Sequence, residues 1–385
     1  MFYNQQSGTN RQNYMELLKR VGALSNLFSE SPVPYLYYRA AENVFCKAFE
    51  AENLSRGDVS VDASKDRLGI GLKTFLHKNG MTFQKVAEFN KGMKEYYSEN
   101  PQDIIEVISR QRNERINFAK RAHDLNDVIY HLVTRDVGVF KVFEEEMDYI
   151  TLDQIRKVKQ SKNIIHFVDD KNEYKFNISK STLFKRFKTK NNPLAEFKVE
   201  ILEDPYSYLL YGREEDYSFT ISEEDKHQKI YLPLYSPRTQ EVHEKSGLNQ
   251  WNASGRERHE DELYIPIPIW IHRTFNNFFP FDLERHRITG EQGSPFNLEL
   301  PNGKILSAKV CQQDGKALMS NPNRELGNWL LRHVLQVPVG EKVTYEMLEV
   351  IGIDSVVVTK LSKDHFRIDF AAIGSYEQFE EENND

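Results

Sequence analysis

Between Ser246 and Trp329 polar side chains occupy places that a packed interior would not accept, and this constrains the chain more than any other feature. Ser246-Gly247-Leu248-Asn249-Gln250-Trp251-Asn252-Ala253-Ser254-Gly255-Arg256 reads as a long loop rich in amides, glycine and arginine. It leads into an extended apolar segment, Glu262-Leu263-Tyr264-Ile265-Pro266-Ile267-Pro268. A second such loop follows at Gln312–Arg324. Gly, Asn and Ser mark ordinary turns, but Asn or Gln pairs bidentately with adenine and Arg with guanine. Two loops of this kind on a strand framework imply a surface that reads base edges. The candidates are Asn249, Gln250, Asn252, Arg256 and Arg258 in the first loop, and Gln313, Lys316, Asn321, Asn323 and Arg324 in the second. Trp251 is either a groove-inserted aromatic or, as we prefer, an anchor for its own loop.

Several pieces lie in one order across about a third of the chain: Ser246-Gly247-Leu248-Asn249, Tyr264-Ile265-Pro266-Ile267-Pro268, Phe278-Phe279-Pro280, Gln313-Asp314-Gly315-Lys316-Ala317, Ser320-Asn321-Pro322-Asn323 and Trp329-Leu330-Leu331. With them, the stretch from about Lys229 to Phe370 resembles the C-terminal DNA-recognition domain of NgoFVII-type restriction endonucleases, itself related to the plant B3-type DNA-binding fold. The resemblance implies an open β-barrel whose two arms grip the major groove from either side. By position, Ser246–Arg258 is the first arm and Gln312–Arg324 the second.

A chain of 385 residues has room for two or three domains. Hydrophobic residues make up 39% and charged residues 28%, which suits a globular protein and not a disordered one. No apolar run is long enough to span a bilayer, and the N-terminus lacks the layout of a secretory signal, so no membrane partner is expected. Cys46 and Cys311 alone offer neither a disulfide framework nor a cysteine zinc site, and a cytoplasmic setting is expected. The net charge of −7 argues at first against nucleic acid. Five acids, however, lie in the tail (Glu377, Glu380, Glu381, Glu382 and Asp385), which leaves the body near neutral. Its bases cluster: Arg110, Arg112, Arg115, Lys120 and Arg121 in one helical stretch, Lys180, Lys185, Arg186, Lys188 and Lys190 in another segment. Local basic surface is what phosphates meet, although a solvated face would look the same.

The spacing predicts helices over Tyr14–Leu27, Tyr35–Glu52, Phe83–Tyr97 and Ile104–Asp124. Extended segments are expected at Asp58–Asp62, Leu68–Phe75, Val128–Arg135, Ile164–Val168 and Tyr174–Ile178. Strand-and-loop character takes over after residue 225. The acidic residues between Gly212 and Asp225 mark a boundary between domains at 1–220 and 225–385.

Catalysis has to be sought in the first domain. Metal-dependent nucleases hold Mg²⁺ with carboxylates, because a hard cation takes oxygen ligands and activates water beside the scissile phosphate. Asp62, Lys73 and Glu88 satisfy that chemistry: Asp62 ends one strand, Lys73 lies on the next, and Glu88 falls on the predicted helix that would fold back over them. Asp58 and Asp66 compete with Asp62, and Asp58 shares one face of a strand with it. The arrangement resembles the PD-(D/E)xK nuclease motif, with Gly71 in place of the usual acid two residues before the lysine. Some restriction endonucleases of that superfamily supply the acid from the next helix, and in this chain that role falls to Glu88. Gly71 would leave room for it, and Glu42 would support the metal or orient Lys73.

Other chemistries fit less well. His243-Glu244-Lys245 followed by Asn249 has part of the spacing of a phospholipase-D-type nuclease, but it overlaps the recognition arm and has no second copy. His131 on an apolar strand reads as structural, and no zinc spacing or lysine-bearing phosphate loop occurs. The two resemblances together imply a type II-like restriction endonuclease. An α/β, restriction-endonuclease-like N-terminal domain would precede an all-β-rich, B3-like open pseudobarrel. Asp62 and Glu88 would bind Mg²⁺, with Arg112, Arg115 and Lys120 on backbone phosphates. The implied partners are double-stranded DNA, a second copy in a homodimer, and a DNA methyltransferase that protects host sites. The alternative is a sequence-specific DNA-binding protein, or a restriction-system subunit, without cleavage of its own.

Overall fold

The computed structural model describes residues 1–54, 60–89, 100–211, 227–249, 259–291 and 293–384. The chain divides into two compact units, Met1–Lys120 with Leu125–Phe219, and Arg121–Asp124 with Thr220–Asp385.

The first unit opens with α1 (Phe2–Gln5), α2 (Gly8–Ala23) and α3 (Tyr38–Phe49). The Ser7 side chain accepts the Asn10 amide at 3.0 Å and so caps α2. Ala41, Val44, Phe45, Ala48 and Phe49 on α3 form one apolar stripe at helical spacing. That stripe packs on Ile70, Leu72, Val133, Phe140 and Val142 of the sheet beneath. The sheet contains β1 (Glu52–Asn53), β2 (Ala63–Lys65), β3 (Leu68–Leu76), β5 (Asp127–Asp136), β6 (Val139–Glu146) and β11 (Ala195–Lys198), in the order β1-β2-β3-β5-β6-β11. β3 and β5 run parallel, a geometry that needs a crossover. The chain between them contains β4 (Met81–Glu88) and α4 (Pro101–Ala122).

A second sheet is wholly antiparallel, in the order β4-β10-β9-β8-β7. Its remaining strands are β7 (Arg156–Ser161), β8 (Ile164–Val168), β9 (Glu173–Asn177) and β10 (Thr182–Lys188). α4 serves both sheets. Ile104, Ile105 and Ile108 in its first half pack on Ile165, Phe167, Phe176 and Leu183. Ile116 and Ala119 in its second half join Phe75, Leu132, Phe143 and Phe187. α5 (Pro205–Tyr211) follows the last strand of this unit.

One predicted helix is corrected. Residues from Met81 to Glu88 form β4, which pairs along its length with β10. Gln84, Lys85, Ala87 and Glu88 favour helix or are depleted in strands, but pairing with a neighbouring strand overrides that weak local preference. Residues 90–97, the rest of that expectation after Phe89, lie outside the described residues.

The second unit is built on a seven-stranded sheet in the order β12-β17-β18-β14-β15-β16-β13. Its strands are β12 (Lys229–Pro233), β13 (Ile265–Pro266), β14 (Phe296–Glu299), β15 (Ile305–Cys311), β16 (Ala317–Ser320), β17 (Ile353–Lys360) and β18 (His365–Ala372). β14 and β18 pair in parallel, and the other neighbours in this sheet are antiparallel. The sheet curls until β13 lies beside β12, which nearly closes a barrel. Ile230, Leu232, Leu298, Leu306, Val310, Leu318, Val356, Phe366 and Ile368 fill the interior. Around it lie α6 (Ile269–Thr274), α7 (Leu283–Thr289), α8 (Glu325–Gly327) continuing into a π-helical turn at Asn328–Val334, α9 (Tyr345–Ile351) and α10 (Ser375–Asn383).

Candidate functional site

In the first unit the local geometry starts from the end of β2. Ala63, Ser64 and Lys65 pair with Ile70, Gly69 and Leu68, and the Asp62 amide still donates to the Ile70 carbonyl at 2.8 Å. Beyond that point β2 has no further ladder residue to offer. The next amide on that edge of β3, Leu72 N–H, donates instead to Asp62 Oδ2 at 2.6 Å. The carboxylate thus takes the place of a missing strand carbonyl. Lys73 Nζ lies 3.9 Å from the same oxygen, and both side chains are partly exposed. Strand alternation sends Ile70 and Leu72 towards α3, and Lys73 to the face of Gly69, Gly71 and Phe75. A carboxylate and an amine are therefore held together at a strand edge.

Two expectations for this site are corrected. The space beside Gly71 is not taken by an acid: a Cβ there would meet Met147 Cε at 2.6 Å and the Tyr130 ring at 3.2 Å. Glu88 stands in the other sheet, opposite Thr182, five residues along β10 from Phe187. The Phe187 ring lies 5.9 Å from that of Phe75, so Glu88 is about 16 Å of strand beyond that meeting point. Its carboxylate takes Lys85 Nζ at 3.0 Å. Glu42 is buried on α3 with Arg39 Nη1 at 3.1 Å. Asp58 lies outside the described residues. Among the described residues, no three His, Cys, Asp or Glu side chains gather as a metal site. The donor set fits Mg²⁺ in part: Asp62 offers one hard oxygen ligand beside an amine, and Mg²⁺ usually keeps several waters and takes substrate phosphate oxygens.

The basic clusters resolve into separate roles. Arg112 is 3% exposed and donates from Nη2 to the Tyr130 hydroxyl at 2.7 Å, so it serves the interior rather than a phosphate. Arg115 donates to the Glu88 carbonyl at 2.5 Å and lies over the Phe89 ring. Lys120 is half-buried on α4. On β10, alternation turns Lys185 inward with Leu183 and Phe187, where its Nζ meets Glu145 at 2.5 Å. Arg186 faces outward and grips Glu173 through two bonds. The period of two in Leu183-Phe184-Lys185-Arg186-Phe187 was the available signal for that buried pair.

In the second unit the two predicted loops meet the barrel in different ways. Gln250, Trp251, Asn252, Arg256 and Arg258 lie outside the described residues. Asn249 is committed to structure: its Oδ1 accepts the Val343 amide at 2.8 Å, while Nδ2 donates to the carbonyls of His243 and Val343. That occupies both ends of the carboxamide a base would need. Ala317–Ser320, expected within the second loop, form the buried strand β16. Gln313 and Lys316 are therefore left at its start, and Asn321, Asn323 and Arg324 at its finish. Ile265 pairs with Leu318, and the Asn323 side chain reaches Glu262 at 3.5 Å. The flank that returns from the first loop thus meets Asn321–Arg324, away from Gln313. Arg332 secures that flank through Asp261 Oδ1 at 2.7 Å and the Glu260 carbonyl.

At the other end of β16 the turn is fixed from below. Gly315 has φ +67°, and a Cβ there would run into the Phe281 ring. His272, buried on α6, donates from Nε2 to the Gly315 carbonyl at 2.8 Å; burial holds its pKa below the ordinary imidazole value. Arg287 binds Asp314 at 2.7 Å and keeps that carboxyl below its usual pKa. Gln313 and Lys316 project from this turn into solvent. Sequence reasoning missed His272, Arg287, Arg332 and Glu262 as the supports of the loops.

Residues 214–362 match the family model of the NgoFVII C-terminal B3-like DNA-binding domain. The match spans less than half of the chain, and its limits enclose the seven-stranded sheet up to Lys360. No curated protein matches the chain.

Proposed function

We propose that this chain is a sequence-specific DNA-binding protein that also cleaves DNA, in the manner of a type II restriction endonuclease. The observation that carries the DNA-binding part is the match of residues 214–362 to a B3-like DNA-binding domain from a restriction-enzyme family. The exposed ends of β16 supply the chemistry: Gln313 and Lys316 at one, Asn321 and Arg324 at the other. Amide and guanidinium groups of this kind read base edges in the major groove. The acidic overall charge of −7 is compatible with such binding, because phosphates respond to local and not to net charge.

The hydrolytic part rests on the Asp62–Lys73 pair at the edge of β3. Asp62 would hold Mg²⁺, which when bound lowers the pKa of a water and neutralises charge on the scissile phosphate. Lys73 would hold that water and screen the phosphate, and Lys120 would contact the backbone. Duplex DNA is the substrate in this reading. A companion methyltransferase would protect host sites, and a homodimer would bring two such sites to the two strands. A second reading, binding without cleavage, is favoured by one observation: Glu88 does not join Asp62 and Lys73.

The test is incubation of the purified full chain with unmethylated genomic DNA, with Mg²⁺ and with a chelator. Discrete fragments that need Mg²⁺ and vanish in Lys73→Ala support cleavage. Specific binding with no cleavage by the wild-type chain under any divalent metal leaves the second reading standing.

A further inference from the structure

We infer that the outer face of the five-stranded antiparallel sheet, opposite its apolar side, is a second and sequence-independent surface for the DNA phosphate backbone. The choice of duplex DNA as occupant rests on the proposed DNA-binding function; the surface itself is argued from its own residues.

The register lines up five cross-strand neighbours on this face. Lys159 of β7 is opposite His166 of β8, His166 opposite Lys175 of β9, Lys175 opposite Phe184 of β10, and Phe184 opposite Lys85 of β4. Directly opposed residues share a face, so this row crosses the whole sheet, about 19 Å at the usual strand spacing. The other face is the apolar one, with Ile165, Phe167, Tyr174, Phe176 and Leu183 buried against α4. Every ionisable member of the row is a base. Glu88 is committed to Lys85 at 3.0 Å and Glu173 to Arg186 at 2.7 Å. Lys159, Lys175 and the nearby Arg156 have no acidic partner within 4.0 Å among the described residues. Lys157 and Lys162, exposed at the edge strand and its turn, extend the same charge.

Such concentrated positive charge on a sheet face is unfavourable unless something offsets it, and phosphate is the complementary group. The aromatic residues decide between backbone contact and base stacking. Lys175 Nζ lies 4.8 Å from the Phe83 ring centre and 4.9 Å from that of Phe184. The Arg186 guanidinium lies 4.2 Å from Phe83. Each of these cations takes up a ring face that an unstacked base would need, unlike the platforms that hold single strands. The occupant is therefore a charged backbone, read without regard to sequence.

The test compares the full-length wild type with the triple variant Arg156→Gln, Lys159→Gln, Lys175→Gln. Binding of a random-sequence duplex and of a duplex selected by the wild-type chain is measured across a salt series. Each lost phosphate contact flattens the dependence of log K on log salt by about 0.9. The triple variant is expected to flatten it by about 2–3 for both duplexes while the preference between them stays as in wild type. Lys47→Gln, on the exposed side of α3, is expected to change nothing. Should the half-buried Lys175 substitution impair folding, the exposed pair Arg156→Gln, Lys159→Gln carries the test with a change of about 1–2. An unchanged slope overturns the inference, and so does a change seen with single-stranded RNA but not with duplex DNA. Absence of any preference in the wild type would instead count against the recognition reading, and the slope comparison would still report on the sheet.

Discussion

Lys73 Nζ and Asp62 Oδ2 stand 3.9 Å apart, and that oxygen also accepts the Leu72 amide at 2.6 Å. One carboxylate therefore has two tasks, to complete the edge of β3 and to hold an amine beside it. Substitutions can separate them. Asp62→Asn keeps an oxygen for the Leu72 amide but loses the charge, so the melting temperature should stay near that of wild type while cleavage fails. Asp62→Ala also removes the acceptor and should cost about 1–3 kcal/mol of stability. Lys73→Ala should lower the cleavage rate by roughly 10²–10⁴ if it manages a proton or water, with DNA affinity retained. Thermal denaturation, cleavage and binding measured on the three variants check these outcomes. Equal loss of binding in Lys73→Ala would remove the residue from the chemistry.

Asn249 and Arg324 both look like base readers in the sequence, and the structure gives them different work. Asn249→Ala would strand the backbone groups of Val343, which is 1% exposed, and should destabilise the second unit by about 1–3 kcal/mol. Arg324 is exposed at the finish of β16, so Arg324→Ala should change stability by less than about 0.5 kcal/mol. If it reads a base, it should weaken discrimination at one base pair by about 1–3 kcal/mol. Urea denaturation combined with selection from a randomised duplex library distinguishes the two patterns. A stable Asn249→Ala protein with altered specificity would reverse the assignment.

Asp354 is buried under the C-terminal segment, where burial pushes its pKa up to about 6, against the pull of the Gly374 amide bonded at 2.9 Å. A folded-state pKa above the unfolded value means that the unfolded chain releases this proton first as pH rises. The associated stability is fully present below about pH 4 and is lost as pH rises through about 6. Asp354→Asn carries no such proton. Its stability relative to wild type should therefore increase by about 1–3 kcal/mol between about pH 4 and pH 7. Denaturant titrations of both proteins at a series of pH values measure the difference; a constant offset would mean that Asp354 does not titrate in this range.

The sequence made some of this geometry visible. Ile164–Val168 and Tyr174–Ile178 are legible as two short extended segments, and β8 and β9 form there and pair with each other. The helix expected over Tyr35–Glu52 is legible in its apolar spacing, although it runs only from Tyr38 to Phe49. β4 was hidden because its composition favours helix and only its partner β10 makes it a strand. β16 was hidden for a related reason: four residues between polar clusters are too few to show a period, yet all four are buried, paired with β15 throughout and with β13 at Ala317 and Leu318. At the candidate sites, the resemblance to a nuclease motif put Asp62 and Lys73 together, whereas strand spacing left Asp58 as a competitor. The fate of Asn249 was not legible, since its partner Val343 is distant in sequence and short polar side chains serve turns as readily as bases.

The turn from Gln312 to Lys316 allows the two ends of β16 to be tested independently. Gly315 is held at φ +67°, with the Phe281 ring where a Cβ would lie and His272 donating to its carbonyl. Gly315→Ala combines an unfavourable backbone conformation with a clash, and should cost about 1–3 kcal/mol. More informative is where the disturbance stops. Ser320 anchors the opposite end through bonds to the Pro322 carbonyl and the Leu326 amide, so Asn321 and Arg324 should keep their places. Specificity profiles of Gly315→Ala should therefore relax only at the base pairs that also respond to Gln313→Ala and Lys316→Ala, while those sensitive to Arg324→Ala stay sharp. His272 adds a pH dependence with a defined sign. Its folded pKa lies below the ordinary value near 6.5, so the neutral ring supports the turn above that pH. As pH falls below about 6.5 the unfolded chain takes up the proton first, and the support weakens. Specificity lost uniformly across the site in Gly315→Ala would show that the two ends of β16 do not read DNA separately.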